Sequence, residues 1–130
     1  MQNKPLIAIV DDDESMRNST KDLLESAGFL AATFQSAESF LKSRHLHRFA
    51  CLVTDMLMPG MTGLELYRDL VASGNAIPTI LITAYPDDRA QAGALKGGIA
   101  CYLIKPFTAD KLLGCIRRAL DARKAGERRP

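Results

Sequence analysis

Five short apolar runs, separated by segments of helical periodicity, constrain the fold of this chain more than any other feature. The runs occupy residues 6–10, 30–34, 50–54, 79–83 and 100–104, and four of them are nearly continuous in Ile, Leu, Val, Ala and Cys. Continuous apolar runs are typical of strands that are buried on both faces of a parallel sheet. The run at 30–34 is the most diluted by small and polar residues, which favours a place at the sheet edge.

The segments between the runs carry apolar residues at helical spacing and have recognisable ends. Gly28 and Gly74 follow the first and third segments as stop signals. Ser36 is suited to cap the second helix. Thr62 and Glu65 form a capping-box pattern, which predicts that the third helix starts there.

The fourth helical segment, residues 87–95, is the weakest of the five. Its apolar residues are mostly alanine, Gly93 lies inside it, and Gly97 and Gly98 follow it. Glycine in a helix interior costs about 1 kcal/mol relative to alanine. We therefore expect this helix to be the least firmly held, and we expect the last helix to begin after Thr108.

Strands that alternate with helices predict a doubly wound α/β sheet covered by helices on both faces. With 130 residues the chain has room for one domain, which we expect to span residues 1–122. Residues 123–130 read as a basic C-terminal tail or the start of a linker. The formal charge of +2 arises within residues 121–130, so the rest of the chain is neutral and no nucleic-acid surface is expected.

Composition excludes several other classes of protein. No apolar run approaches the ~20 residues that span a bilayer, and the first residues lack a secretory signal pattern. The three cysteines, Cys51, Cys101 and Cys115, are widely spaced in apolar sequence. They are expected to be reduced, buried thiols rather than disulfides or metal ligands. We therefore predict a cytoplasmic protein that does not contact a membrane.

Polar side chains end four of the five predicted strands. Residues 11–13, which follow the first run, are all aspartate; Asp55 and Lys105 follow the third and fifth runs, and Thr83 is the last residue of the fourth. Because the carboxyl ends of parallel strands line one sheet edge, these groups are expected to lie together. Clustered carboxylates repel one another unless a cation compensates. An all-oxygen acidic pocket suits Mg²⁺, and its neighbourhood is suited to receive a phosphoryl group.

With these polar strand ends, the chain resembles response-regulator receiver (CheY-like) domains of bacterial two-component systems over residues 5 to about 122. The key positions of the matching motifs, Asp12, Asp55, Thr83 and Lys105, are 43, 28 and 22 residues apart. Each motif alone is weak, but their order and spacing make the set specific. The matching motifs are Val10-Asp11-Asp12-Asp13-Glu14, Asp55-Met56-Leu57-Met58-Pro59-Gly60-Met61-Thr62-Gly63, Thr83-Ala84 and Lys105-Pro106-Phe107.

The resemblance implies a role for each polar strand end. Asp55 would be the phosphoacceptor, which a sensor histidine kinase phosphorylates. Asp11 and Asp12 would bind Mg²⁺, together with Asp55 and the backbone carbonyl of Leu57. Asp13 would instead open the first helix, where its negative charge meets the helix dipole.

The resemblance also implies a fold and a switch. The fold would be flavodoxin-like, with five parallel strands in the order 2-1-3-4-5 and five flanking helices. Thr83 and Lys105 would contact the phosphoryl group, and the Lys105–Pro106 bond would be cis. Thr83 and Tyr102 would form the switch, in which the tyrosine turns inward as the threonine moves.

Three alternatives use the same architecture. A haloacid-dehalogenase-type phosphohydrolase would place its nucleophile at Asp11 with a second aspartate at Asp13, but the chain has no room for a cap domain. A flavodoxin-like cofactor binder needs a phosphate-binding loop where this chain has acidic residues. A degenerate receiver would lack key side chains that are present here. We therefore predict a phosphoacceptor signalling domain rather than an enzyme.

Two kinds of output are consistent with the sequence of such a receiver. The segments around residues 37–41 and 55–59 resemble receivers attached to helix-turn-helix domains, which favours control of transcription through an output domain outside this chain. The alternative is a stand-alone receiver that acts through protein–protein contacts. Phosphorylation-dependent homodimerisation is a further expectation, and direct nucleic-acid binding by this chain is not expected.

Overall fold

The computed structural model describes residues 4–127, with side chains up to residue 123, as a five-stranded sheet between two layers of helices. The strands are β1 (Leu6–Val10), β2 (Leu30–Phe34), β3 (Cys51–Asp55), β4 (Thr79–Thr83) and β5 (Cys101–Ile104). The helices are α1 (Glu14–Ser26), α2 (Ala37–Leu41), α3 (Gly63–Ala72), α4 (Asp88–Lys96) and α5 (Ala109–Glu127), with a short 3₁₀ turn at Leu46–Arg48.

All neighbouring strands are parallel, in the order β2-β1-β3-β4-β5. The predicted fold and the edge position of β2 are therefore confirmed. The third and fifth strands each begin one residue later than predicted. The third strand also ends one residue later, so Asp55 is the last residue of β3 rather than the first residue after it.

Two main cores and one smaller one hold the layers together. The first core joins the sheet to α1 and α5, and the second joins its opposite face to α2 and α3. The third is small and lies under α4, around buried Leu81, Ala94 and Ile99. Ala94 is the one buried residue of α4. The sequence expectation of a loosely held fourth helix agrees with this sparse burial.

The helix ends follow the capping chemistry read from the sequence. The Ser36 hydroxyl accepts the Ser39 N–H at the start of α2, and Thr62 and Glu65 form a complete capping box at the start of α3. Each capping side chain satisfies an amide that has no partner within the helix.

The last helix extends further than the predicted domain boundary. Helix α5 continues through residue 122 to Glu127, and residues 128–130 lie outside the described residues. Alanine, arginine and lysine, which are good helix formers, dominate residues 122–125 and explain the continuation. The assignment of residues 123–130 as a tail or linker stays a prediction.

The three cysteines are buried thiols, as the sequence predicted. All of them lie in the core between the sheet and the α1–α5 layer. Burial raises the pKa of Cys51 to about 12, and burial together with neighbouring Cys115 raises the pKa of Cys101 to about 12. The thiols of Cys51 and Cys101 are therefore protonated at neutral pH.

Between residues 4 and 127, none of the helices is both long enough and apolar enough to cross a bilayer.

Candidate functional site

Three carboxylates meet at the carboxyl ends of β1 and β3. Asp11 and Asp12 follow β1, and Asp55 ends the adjacent strand β3. One carboxylate oxygen from each residue lies within 4.8 Å of the other two. The structure therefore brings together the acidic side chains that the sequence placed at this edge.

Lys105 supplies a positive charge to this cluster. Its Nζ lies 3.1 Å from Asp55 Oδ2, and the two side chains are 25% and 12% exposed, so the pair is accessible to a small group. Lys105 is positioned by its backbone N–H, which donates to the Thr83 carbonyl at 2.8 Å. The Lys105–Pro106 bond is cis, as the resemblance implied.

Asp11 is the most buried of the three acids, with 8% of its surface exposed. Burial raises the pKa of its carboxyl, and the charges of Asp55 and Asp12 raise it further. A hydrogen bond from the Asp13 N–H and the charge of Lys105 act in the opposite direction. The net direction is upward, mainly because burial disfavours the charged carboxylate, with a smaller contribution from repulsion by the neighbouring acids.

Asp13 is directed toward α1 rather than into the cluster. Its side chain accepts the Met16 N–H at 3.1 Å and is the N-cap of the helix. This agrees with the prediction that Asp13 opens the first helix. It also weakens the haloacid-dehalogenase alternative, which requires Asp11 and Asp13 to act together.

Thr83 and Leu57 flank the acidic cluster. Thr83 ends β4 with 2% of its surface exposed, and its hydroxyl oxygen accepts the Tyr85 N–H at 3.0 Å. The Leu57 N–H donates to Asp55 Oδ1 at 3.4 Å, which keeps the Leu57 backbone beside the carboxylate. The role of the Leu57 carbonyl as a metal ligand stays a prediction.

Tyr102 lies apart from the acidic cluster, in the small core under α4. Its ring packs against the core formed by Leu81, Ala94 and Ile99. Burial raises the pKa of Tyr102, and the charge of Asp87, the N-cap of α4, adds to the effect. A hydrogen bond with the Asp87 backbone opposes it. The tyrosine hydroxyl is thus close to the first turn of α4.

Two residues that contact the site were not assigned a role there from the sequence. The Arg17 guanidinium donates from Nη1 to the Asp11 carbonyl at 2.8 Å. Gly63, the first residue of α3, lies so close to Asp55 that a Cβ atom would collide with the Asp55 carbonyl oxygen. Neither contact belongs to a periodic sequence pattern that could have predicted it. The one available signal is the glycine directly after the helix cap, because glycine allows another backbone segment to come close.

The donor set fits Mg²⁺. It consists of oxygen atoms, it carries a net negative charge even when Lys105 is counted, and it is partly open to water. Mg²⁺ is usually held by one or two protein carboxylates, and it keeps several waters or substrate phosphate oxygens.

The fold and motifs match known proteins. The family model described as "Response regulator receiver domain" matches residues 7–117. The transcriptional regulatory protein FixJ of Bradyrhizobium diazoefficiens is 37% identical over 120 residues, which cover 92% of this chain and 58% of FixJ. The response regulator protein TodT of Pseudomonas putida is 36% identical over 115 residues, which cover 88% of this chain and 51% of TodT.

Solved structures give the same result. The crystal structure of FixJ-N has a TM-score of 0.83 and 38% identity, and the match covers 93% of this chain and 96% of that one. The response regulator StyR has a TM-score of 0.85 and 42% identity, with 96% of this chain and 65% of StyR covered. This chain spans about half the length of FixJ and TodT.

Proposed function

This chain belongs to the response regulator receiver domain family, and from that premise we propose that Asp55 is the residue that accepts the phosphoryl group. Receiver domains are signalling phosphoacceptor domains of two-component systems, they interact with histidine kinases, and phosphorylation on aspartate is typical of them. The observation that carries the assignment to Asp55 is its ion pair with Lys105 inside the three-carboxylate cluster.

In the proposed reaction, an Asp55 carboxylate oxygen attacks the phosphorus of a phosphohistidine on the sensor kinase. An O–P bond forms as the P–N bond breaks, and the imidazole leaves with the electron pair and takes a proton from solvent. Lys105 Nζ, 3.1 Å from Asp55 Oδ2, offsets the negative charge at the reacting centre. Such a transfer needs little from the protein beyond positioning and charge neutralisation.

Receiver domains generally bind Mg²⁺ at an acidic pocket, and we propose that Asp11, Asp12, Asp55 and the Leu57 carbonyl hold it here. When bound, Mg²⁺ supplies the positive charge that the three carboxylates and the incoming phosphoryl oxygens require. The upward direction of the Asp11 pKa supports this assignment, because a cation would relieve the repulsion that contributes to it.

Metal dependence is the direct test of this function. Incubation with acetyl phosphate and Mg²⁺ is expected to add one phosphoryl group to the chain, detected by intact-protein mass spectrometry. Addition of EDTA before the donor is expected to reduce the modified fraction to background, and excess Mg²⁺ should restore it. Equal modification with and without metal would contradict the proposed metal site.

The proposed response to phosphorylation begins at Thr83 and Lys105. A phosphoryl group on Asp55 adds acceptor oxygens and makes the side chain nearly dianionic, where the free carboxylate carries one negative charge. Each new charge-assisted hydrogen bond contributes roughly 1.5–3 kcal/mol. Conversion of a 1:99 population of two conformations to 99:1 requires a differential stabilisation of about 5.5 kcal/mol. Two such hydrogen bonds contribute a free energy of about that size. We propose that the Thr83 hydroxyl leaves the Tyr85 N–H to make one of them.

Hydrogen–deuterium exchange should detect this change in α4 and β5. Helix α4 is anchored by one buried alanine, and Tyr102 on β5 packs beneath it. Because little packing is lost when α4 moves, amides of Asp88–Lys96 and Cys101–Ile104 are expected to change their exchange rates on phosphorylation. Helix α2 (Ala37–Leu41) serves as an internal control that should not change. Identical exchange in α4 and β5 would contradict the proposed switch.

The proposed output is control of transcription. FixJ is named a transcriptional regulatory protein, and this chain spans 58% of its length. We propose that this receiver acts on an output domain that is not part of this chain. Phosphorylation-dependent pairing of two copies belongs to the same proposal, because Leu95 on α4 and Ile104 on β5 are 44% and 40% exposed on the responsive surface. A stand-alone receiver is the alternative.

A further inference from the structure

Arg17 makes a charged hydrogen bond to the backbone of an acidic-cluster residue. Its Nη1 lies 2.8 Å from the carbonyl oxygen of Asp11, which it reaches back from the start of α1. We propose that Arg17 is a positioning residue of the metal site: it fixes the turn between β1 and α1 so that Asp11 and Asp12 present their carboxylates together. This inference rests on the proposed function, in which those two residues bind Mg²⁺.

The Arg17 contact completes the anchoring of Asp11. The Asp11 N–H donates to the Phe34 carbonyl of β2 at 3.1 Å. The Asp11 carboxylate accepts the Asp13 N–H at 2.9 Å. With the carbonyl held by Arg17, the N–H, carboxylate and carbonyl of Asp11 each have a partner, one from strand β2 and two from the residues that follow Asp11. The residue is therefore fixed in orientation, with its carboxylate beside Asp12 and Asp55.

Arg17 acts on the backbone rather than on the carboxylate. The charged side chains that act on the Asp11 carboxyl are Asp55, Lys105 and Asp12. Three carboxylates at short range repel one another, and the repulsion tends to open the turn that carries two of them. A hydrogen bond from a cation to the Asp11 carbonyl opposes that opening. Outer partners that orient metal ligands typically change metal affinity by 10–100-fold when they are removed.

The direction of the effect separates a positioning role from a simple charge effect. Arg17→Ala removes a positive charge near a cation site, so a pure charge effect would make Mg²⁺ bind more tightly. Loss of a positioning contact would instead weaken Mg²⁺ binding, because the carboxylates must be ordered when the ion binds. The charge effect and the positioning role therefore predict opposite changes in the Mg²⁺ affinity of Arg17→Ala.

The test is an Mg²⁺ titration of the metal-free proteins, followed by amide NMR signals of residues 11–13. For Arg17→Ala we expect a Kd about tenfold higher than that of the wild type. Arg17→Gln keeps a donor without the charge and should recover part of the affinity. Lys21→Ala is the matched control, because it removes the same charge one turn further along α1 and should not weaken binding. Dispersed NMR spectra report in each case that the variant is folded.

The outcomes distinguish this inference from the proposed function. If the wild type shows no saturable response to Mg²⁺, the proposed metal site fails and the inference fails with it. If the wild type binds Mg²⁺ and Arg17→Ala binds it equally or more tightly, the inference alone is overturned. Equal weakening by Lys21→Ala would also overturn it. Phosphorylation of Arg17→Ala by acetyl phosphate should approach the wild-type rate at saturating Mg²⁺, whereas a directly reacting residue would lower that rate at every metal concentration.

Discussion

Asp55→Asn is expected to abolish phosphoryl uptake from acetyl phosphate at saturating Mg²⁺. Asparagine has nearly the same shape as aspartate, so the end of β3 should keep its place in the sheet. The amide lacks the anionic oxygen that attacks phosphorus, and Lys105 loses the negative charge that pairs with its Nζ at 3.1 Å in the wild type. The expected result is a modified fraction at background by intact-protein mass spectrometry, compared with one added phosphoryl group in the wild type.

Asp69→Asn is the matched control for this substitution. Asp69 is exposed on α3 and lies outside the acidic cluster, so the same chemical change there should leave phosphoryl uptake unchanged. Stoichiometric modification of Asp55→Asn would overturn the assignment of the phosphoacceptor. Turnover of a generic phosphate monoester that survives the substitution would favour the haloacid-dehalogenase alternative, in which Asp11 is the nucleophile.

Gly63→Ala is expected to lower the free energy of unfolding by about 1–3 kcal/mol, the usual range for overpacking a close contact. The added Cβ would collide with the carbonyl oxygen of Asp55 and would lie 3.0 Å from a methyl carbon of Leu81. Backbone cannot rotate away as a flexible side chain can, so either α3 or the end of β3 must shift. Because β3 carries Asp55, we also expect slower phosphoryl uptake. Urea unfolding followed by circular dichroism measures the stability.

Gly93→Ala provides the control for the loss of stability. Gly93 lies inside α4, and a Cβ there would meet no atom within 4 Å. Replacing a helical glycine by alanine in open space should stabilise the protein by up to about 1 kcal/mol. The two substitutions add the same methyl group. Changes of opposite sign in the free energy of unfolding would therefore show that the destabilisation at Gly63 comes from the close contact with Asp55. Equal, small effects would show that the first turn of α3 adjusts without disturbing the site.

Much of the fold could be predicted because its signals are local. The continuous apolar run at 6–10 became β1 without adjustment, and Ser36 and Thr62 cap the helices they were expected to cap. Each depends on a few neighbouring residues and on one physical rule. The end of α5 was harder to predict, because nothing in residues 122–127 decides between a helix end and a linker except weak propensity.

The acidic cluster could also be predicted, because strand order converts residues that are distant in sequence into neighbours at one sheet edge. The contacts that shape the site could not. Arg17 reaches a backbone carbonyl six residues earlier, and no sequence pattern marks such a bond. The collision at Gly63 depends on how closely α3 approaches β3, which only the packed structure determines.

The burial of the native thiols makes this chain well suited to site-directed labelling for spectroscopy. Cys51, Cys101 and Cys115 are each less than a tenth exposed, and the first two are protonated at neutral pH. Maleimide reagents require an accessible thiolate, so a cysteine introduced on the outer face of α4, at Ala92 for example, should couple to a fluorophore or spin label selectively. Motion of that helix could then be followed in real time without first replacing any native residue of the core.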